Sequence, residues 1–213
     1  REGDAFIVNG TKMFITNSEM GTTFSVFVRT HPDASLRHKG ISCLIIEKGM
    51  PGFTVGRHLH KLGYKGIRSG ELIFQDCRVP AENLIGEEGK GFKYILTGLN
   101  AERTLIAAEC IGDGYWFTDK AAAYAGERRV FGRPIGQNQG IQHPLAMSWC
   151  ELEAANLMAF KAAQLYDEGK PCGSEANAAK YLGAENAFRA CERAVMSHGG
   201  MGYAKEFHVE RYL

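Results

Sequence analysis

Three clusters in this sequence have residue types and spacing that could do chemistry. The first is Asn100-Ala101-Glu102-Arg103, embedded in a helical rhythm that passes through Leu99, Thr104, Leu105, Ala108, Ile111 and Trp116. Asn is a preferred N-cap type, so Asn100 predicts that Glu102 and Arg103 occupy a first helical turn. A carboxylate there is kept ionised by the helix dipole, worth about 0.3–1 kcal/mol. By itself it reads first as a carboxylate that complements the dipole, and it also suits a general base. The second is Arg128-Arg129-Val130-Phe131-Gly132-Arg133-Pro134, where guanidinium forks match phosphate oxygens. A solvated basic turn between helices reads the same way. The third is Gly199-Gly200-Met201-Gly202, which stops a helical pattern with residues that let backbone approach a ligand closely.

Other candidates lead nowhere by themselves. His58 and His60 would share one face of a strand, a geometry that can chelate, but no third ligand lies nearby. The six cysteines, at 43, 77, 110, 150, 172 and 191, lack the spacing of a zinc ribbon or a redox dithiol, and read as reduced thiols. No nucleophile elbow, phosphate loop or dinucleotide fingerprint occurs. Lys plus Arg is 25 and Asp plus Glu is 24, a net charge of +1, which gives no reason to expect nucleic acid or an anionic membrane as partner. No apolar run reaches the roughly 18 residues of a membrane span.

The elements that must position these clusters change character along the chain. The first 80 residues read as strands: Phe6–Val8 and Met13–Thr16 flank Asn9-Gly10, a hairpin signal, and Phe24–Val28, Ile41–Ile46, Phe53–Val55 and Glu71–Phe74 follow. His31–Gly40 reads as a loop, and Gly86–Gly91 as a flexible hinge. Helices are predicted from Phe92 to about Arg128, from about Gln139 to Glu168 and from about Ser174 to Ser197, with a fourth beginning between Glu206 and Leu213. The expected fold class is therefore α+β: a small β-barrel or sandwich over residues 1–85, then an antiparallel α-helical bundle of four helices over residues 86–213, the last one incomplete.

Four segments in this order resemble the acyl-CoA dehydrogenase family. Asn9-Gly10-Thr11-Lys12-Met13-Phe14-Ile15-Thr16-Asn17 is similar to its NGxKxWITN segment, with Phe14 in place of the usual Trp. Lys61-Leu62-Gly63, Glu71–Pro80 and Asn83–Gly86 resemble its KLG…LxFxDxxVPxxNxxG passage. Gly98–Arg103 opens the catalytic helix pattern, and Arg128–Gln139 is similar to RxxFGxxIxxxQ. Met196–Tyr203 resembles QxxGGxGY, with Met196 where the family has Gln.

The resemblance implies FAD-dependent α,β-dehydrogenation of an acyl-CoA to the trans-2-enoyl-CoA, by loss of the α proton to a base and of the β hydrogen as hydride to flavin. It assigns Phe14, Ile15 and Thr16 to FAD, and Arg128, Phe131, Gln139, Gly199 and Gly200 to the FAD of a neighbouring subunit. It assigns Asn100, Ala101 and Arg103 to substrate, and Glu102 as the α-proton base. Other family members carry the base in an EGT motif, which would follow shortly after Leu213. Electron-transferring flavoprotein is the implied electron partner, a homodimer or homotetramer the implied assembly, and bacterial cytoplasm or mitochondrial matrix the implied location. Two alternatives stand beside this: an acyl-CoA oxidase-like enzyme using oxygen, and a non-catalytic binding or assembly fragment of a flavoprotein.

Overall fold

The computed structural model describes residues 1–212. They form two compact units, Arg1–Thr97 and Gly98–Leu213.

The first unit has five strands: β1 (Ala5–Thr16), β2 (Thr23–Arg29), β3 (Ile41–Glu47), β4 (Phe53–His58) and β5 (Ser69–Pro80). They make an antiparallel sheet in the order β1-β5-β4 and an antiparallel pair β2-β3. The core holds Phe6, Val8, Leu44, Ile46, Leu72, Phe74, Cys77 and Val79. Phe53 stacks on Phe74 at 5.0 Å and meets Phe24 edge-on at 5.4 Å, both favourable aromatic geometries.

The expected hairpin at Asn9-Gly10 does not form. β1 runs straight through it and pairs along its length with β5. Val8 faces Cys77 and Gly10 faces Phe74, so Gln75 and Asp76 together oppose Asn9 in a β-bulge. Asn9 holds the bulge from both sides. Its Nδ2 donates to Asp76 Oδ1 at 3.0 Å, and the Asp76 N–H donates to Asn9 Oδ1 at 2.7 Å. The extra residue changes which parity of β5 points inward: Leu72 and Phe74 before it, Cys77 and Val79 after it. A carboxamide paired across the ladder thus took the place of the turn that Asn-Gly signals elsewhere.

Gly86–Gly91 is tied to the first unit by hydrogen bonds and close packing. The Gly89 N–H donates to Ser42 Oγ at 2.8 Å, and the Glu87 N–H donates to Tyr94 Oη at 2.9 Å. Gly91 lies against the backbone of Ile41 and Ser42 so closely that a Cβ there would come within 2.7 Å. The His31–Gly40 connection contains a 3₁₀ turn, Ala34–Gly40.

The helices are α1 (Gly91–Glu127), α2 (Gln139–Asp167) and α3 (Gly173–His198). Within the second unit, small side chains let them approach closely. Ala107, Ala155, Ala159 and Ala179 cluster with Ile111, and Phe117 packs with Leu152, Ala190 and Ala194. A Cβ on Gly183 would sit 3.1 Å from the Ala107 carbonyl oxygen. Polar ties cross the same interior. Tyr115 donates to Glu153, and burial together with that carboxylate pushes the Tyr115 phenol up to about 12. Arg193 donates to Ser148 Oγ at 2.9 Å and to Glu151 Oε2 at 2.8 Å. Beyond α3 the chain makes two short 3₁₀ turns, Gly199–Tyr203 and Val209–Tyr212, where the sequence reading begins a fourth helix; Leu213 lies outside the described residues. No helix of the described residues is long and apolar enough to cross a membrane.

Candidate functional site

The end of β1 carries the first set of predicted site residues. Lys12 faces Leu72 and Ile15 faces Gly70, so Met13 and Phe14 together oppose Glu71 in a second bulge. Phe14 has φ +57, a conformation that bulky side chains rarely adopt, and it is 69% exposed. A bulge re-aims a side chain, and here it turns an aromatic ring outward. Ile15 stays half-buried and packs against the β core, while Thr16 is exposed opposite Ser69. The next turn is braced. The Asn17 N–H donates to the Arg68 carbonyl at 2.8 Å, and Glu19 pairs with Arg68 and with His58. The Arg68 hydrogen bond holds the Glu19 carboxyl below the usual carboxylate range. His58, one of the two histidines weighed for metal, is therefore paired with a carboxylate. Among the described residues no group of three or more His, Cys, Asp or Glu side chains could hold a metal ion.

Helix α1 carries the second set, and here the sequence reading needs correction. Asn100 is not an N-cap and Glu102 is not in a first turn. The helix starts at Gly91, so Glu102 lies eleven residues inside it, past the first turn where the dipole acts. Glu102 is exposed and makes no hydrogen bond or ion pair among the described residues. One helical turn on, Leu105 is 68% exposed and Ile106 40% exposed, so the carboxylate stands on an apolar, open face. Asn100 and Arg103 share a different, half-buried face. Arg103 Nη1 donates to Asn100 Oδ1 at 3.4 Å, and the Asn100 carbonyl accepts from Thr104 Oγ1 at 2.9 Å. Ala101 is exposed. The helix thus separates Glu102 from Asn100 and Arg103 by turning them onto neighbouring faces.

The third set gathers at the end of α1. Two short strands, β6 (Arg129–Val130) and β7 (Arg133–Pro134), pair around a two-residue turn at Phe131-Gly132. Both turn residues have positive φ, +49 and +79, as a type I′ turn requires. Phe131 is fully exposed at the tip. Arg133 is occupied by Asn138 Oδ1 at 2.6 Å, whereas Arg128 makes no side-chain hydrogen bond or ion pair among the described residues. Gln139 is the exposed first residue of α2.

Arg128 lines a groove of about 390 Å³ together with Tyr124, Ile135, Met196, Gly199 and Gly200. The fold therefore brings Arg128 to Gly199 and Gly200, which lie 71 residues later in the chain. Nothing lies within 4 Å of where a Cβ would stand on either glycine, which leaves their backbone open to a ligand. An unpaired guanidinium beside open glycine backbone suits the diphosphate of a dinucleotide. Met196, 78% exposed, adds a thioether to the rim. The sequence reading missed three contributors: the outward bulge at Phe14, the I′ turn at Phe131, and the ring pair of Tyr124 and His198 beneath the groove. Only the Phe-Gly pair between Val130 and Arg133 left a local signal.

Comparison with known proteins agrees across the whole chain. Residues 1–77 match the family model for the acyl-CoA dehydrogenase middle domain, and residues 89–213 match that for the acyl-CoA dehydrogenase C-terminal domain. An acyl-CoA dehydrogenase of Bacillus subtilis is 42% identical over 213 residues, 100% of this chain and 56% of that protein. The structure of butyryl-CoA dehydrogenase from Megasphaera elsdenii superposes with a TM-score of 0.91 at 38% identity, covering 100% of this chain and 55% of that one. The FAD complex of PigA superposes with a TM-score of 0.94 at 29% identity, covering 100% and 55%. The chain thus spans about half the length of the relatives it matches.

Proposed function

The chain belongs to the acyl-CoA dehydrogenase family, and from that premise we propose that the protein containing it removes the α and β hydrogens of an acyl-CoA thioester with FAD as cofactor. The observation that carries the reading is the groove in which the unpaired Arg128 faces the open backbone of Gly199 and Gly200. FAD, when bound, would supply the acceptor for the β hydrogen and its electron pair, chemistry that no side chain can supply.

The remaining roles belong to this chain. Arg128 and the Gly199-Gly200 backbone hold phosphate oxygens, and Phe131 and Gln139 contact the cofactor from the turn and the α2 start. Phe14, Ile15 and Thr16 present an aromatic face, an apolar side chain and a hydroxyl to the flavin end. Phe14 offers no N–H donor where the family has Trp, so that contact is apolar. Glu102 takes the α proton. In water an α-carbon acid is far too weak for a carboxylate, so the pair works only once substrate covers the carboxylate and hydrogen bonds stabilise the charge developing on the thioester oxygen. The exposed Leu105 and Ile106 beside Glu102 give such a cover an apolar surface to rest on. Asn100 and Arg103 contact the substrate from their own face. An electron-transferring flavoprotein would be the electron acceptor. The relatives quoted at about 40% identity are dehydrogenases, which favours this acceptor over oxygen.

The test is anaerobic titration of the full-length protein with a panel of acyl-CoAs that begins with butyryl-CoA, followed by visible absorption. Bleaching of bound flavin by one acyl class is expected. Bound flavin that no acyl-CoA bleaches would remove the dehydrogenase reading, and a protein that takes up no flavin would favour the assembly role.

A further inference from the structure

The groove beside Arg128 stands on a stack of rings that no role above uses. Tyr124 lies in the last turn of α1, and its carbonyl accepts from the N–H of Arg128, just past the helix, at 2.8 Å. Its ring is face to face with that of His198, the last residue of α3, with centroids 4.2 Å apart and planes at 20°. Phe207 meets both rings edge-on, 5.5 Å from each. His198 is buried, and its Nδ1 lies 2.8 Å from the Ala194 carbonyl oxygen, one turn back in its own helix. Immediately after it, Gly199 turns the chain with φ +59 and ψ −133, a combination that a side chain opposes. Gly202 then packs against Val195, where a Cβ would come within 2.3 Å of the carbonyl oxygen.

The two walls of the groove therefore come from helices far apart in sequence, and the Tyr124–His198 stack joins them at its floor. A guanidinium on a long flexible stem gains affinity for a diphosphate only if its backbone anchor is held at the right distance from the other donors. We propose that Tyr124 and His198 are positioning residues: their stack fixes the Arg128 turn against the Gly199-Gly200 turn and so presets the groove for the diphosphate of a nucleotide. The inference rests on the reading that this groove takes FAD. It adds a ring pair at the floor of the groove, and it predicts that the effect of losing the stack is confined to one end of the cofactor.

The experiment uses the full-length apoprotein and measures dissociation constants for FAD, ADP and FMN, with circular dichroism to verify folding. Tyr124→Leu removes the ring face, and Tyr124→Phe keeps it. Tyr124→Leu is expected to weaken FAD and ADP by roughly tenfold or more through lost preorganisation, with FMN unchanged, and Tyr124→Phe to restore parental values. If Tyr124→Leu does not fold, His198→Gln provides the same comparison, since it keeps a donor near the Ala194 carbonyl and loses the ring. A folded ring-deleted variant with parental ADP affinity overturns the positioning role, as does an equal loss of ADP and FMN. Parental ADP affinity in Arg128→Gln instead overturns the cofactor reading of the groove, and the inference falls with it.

Discussion

Phe131 occupies a turn position that its own side chain disfavours, and exchanging it for Asn separates stability from function. The residue sits first in the two-residue turn between β6 and β7 at φ +49, is followed by Gly132 at φ +79, and is 100% exposed. A left-handed conformation costs an ordinary L-residue roughly 1–2 kcal/mol, whereas Asn adopts it readily and Asn-Gly is the preferred type I′ pair. Full exposure means that no burial energy is lost with the ring. Phe131→Asn should therefore stabilise the apoprotein by about 1 kcal/mol, which for a domain of this size is a rise in Tm of about 2–4 °C. The same variant should bind FAD more weakly, because the proposed contact of the Phe131 ring with the cofactor is lost. Thermal unfolding of the apoprotein and fluorescence titration with FAD measure the two effects. A lower Tm, or FAD affinity equal to the parent's, would refute the reasoning.

Three further outcomes follow from the packing. Asp113 on α1 has its carboxyl raised from 3.8, by burial first and by Glu109 second. The folded state thus holds that proton more tightly than the unfolded state, and the cost of ionising it is absent below the ordinary value and complete above the raised one. Asp113→Asn should raise Tm at neutral pH, with the gain disappearing as pH falls to about 3; a gain that persists there would mean that another interaction is responsible. Asn9→Ala deletes both hydrogen bonds at the β5 bulge and should cost about 1–2 kcal/mol in chemical denaturation. Burial pushes the Cys191 thiol up to about 11, so in native protein at pH 8 mass spectrometry should find iodoacetamide on the exposed Cys150 and none on Cys191 until denaturant is added.

Much of this architecture is legible in the sequence because periodicity reports burial. The strands at Phe24–Val28 and Ile41–Ile46 and all three long helices appear within a residue or two of their observed bounds. What was not legible depends on register. Nothing local distinguishes an Asn-Gly that turns the chain from an Asn9 whose amide is taken by Asp76 on a strand 67 residues away. The bulge at Met13 and Phe14 is likewise fixed by pairing with β5. Asn100 misled for a related reason: a capping residue type inside a helix is excused when its carbonyl and side chain find partners at Thr104 and Arg103. At the site, residue types pointed to Glu102 and Arg128, but only the fold shows that Arg128 lines one groove with Gly199 and Gly200 while Glu102 stands on a more exposed face of α1 than Asn100 and Arg103. The Tyr124–His198 stack had no signature, since neither residue announces its partner across 74 positions of chain.

The most direct test of the central claim is stopped-flow reduction of bound flavin by an acyl-CoA substrate in full-length protein carrying Glu102→Gln. The amide keeps the shape of the side chain and cannot accept the α proton. The account predicts that substrate still binds and that the rate of flavin bleaching falls by about 10²–10⁴-fold, the contribution of a general base. Bleaching at close to the parental rate would contradict it and move the base to a residue beyond Leu213.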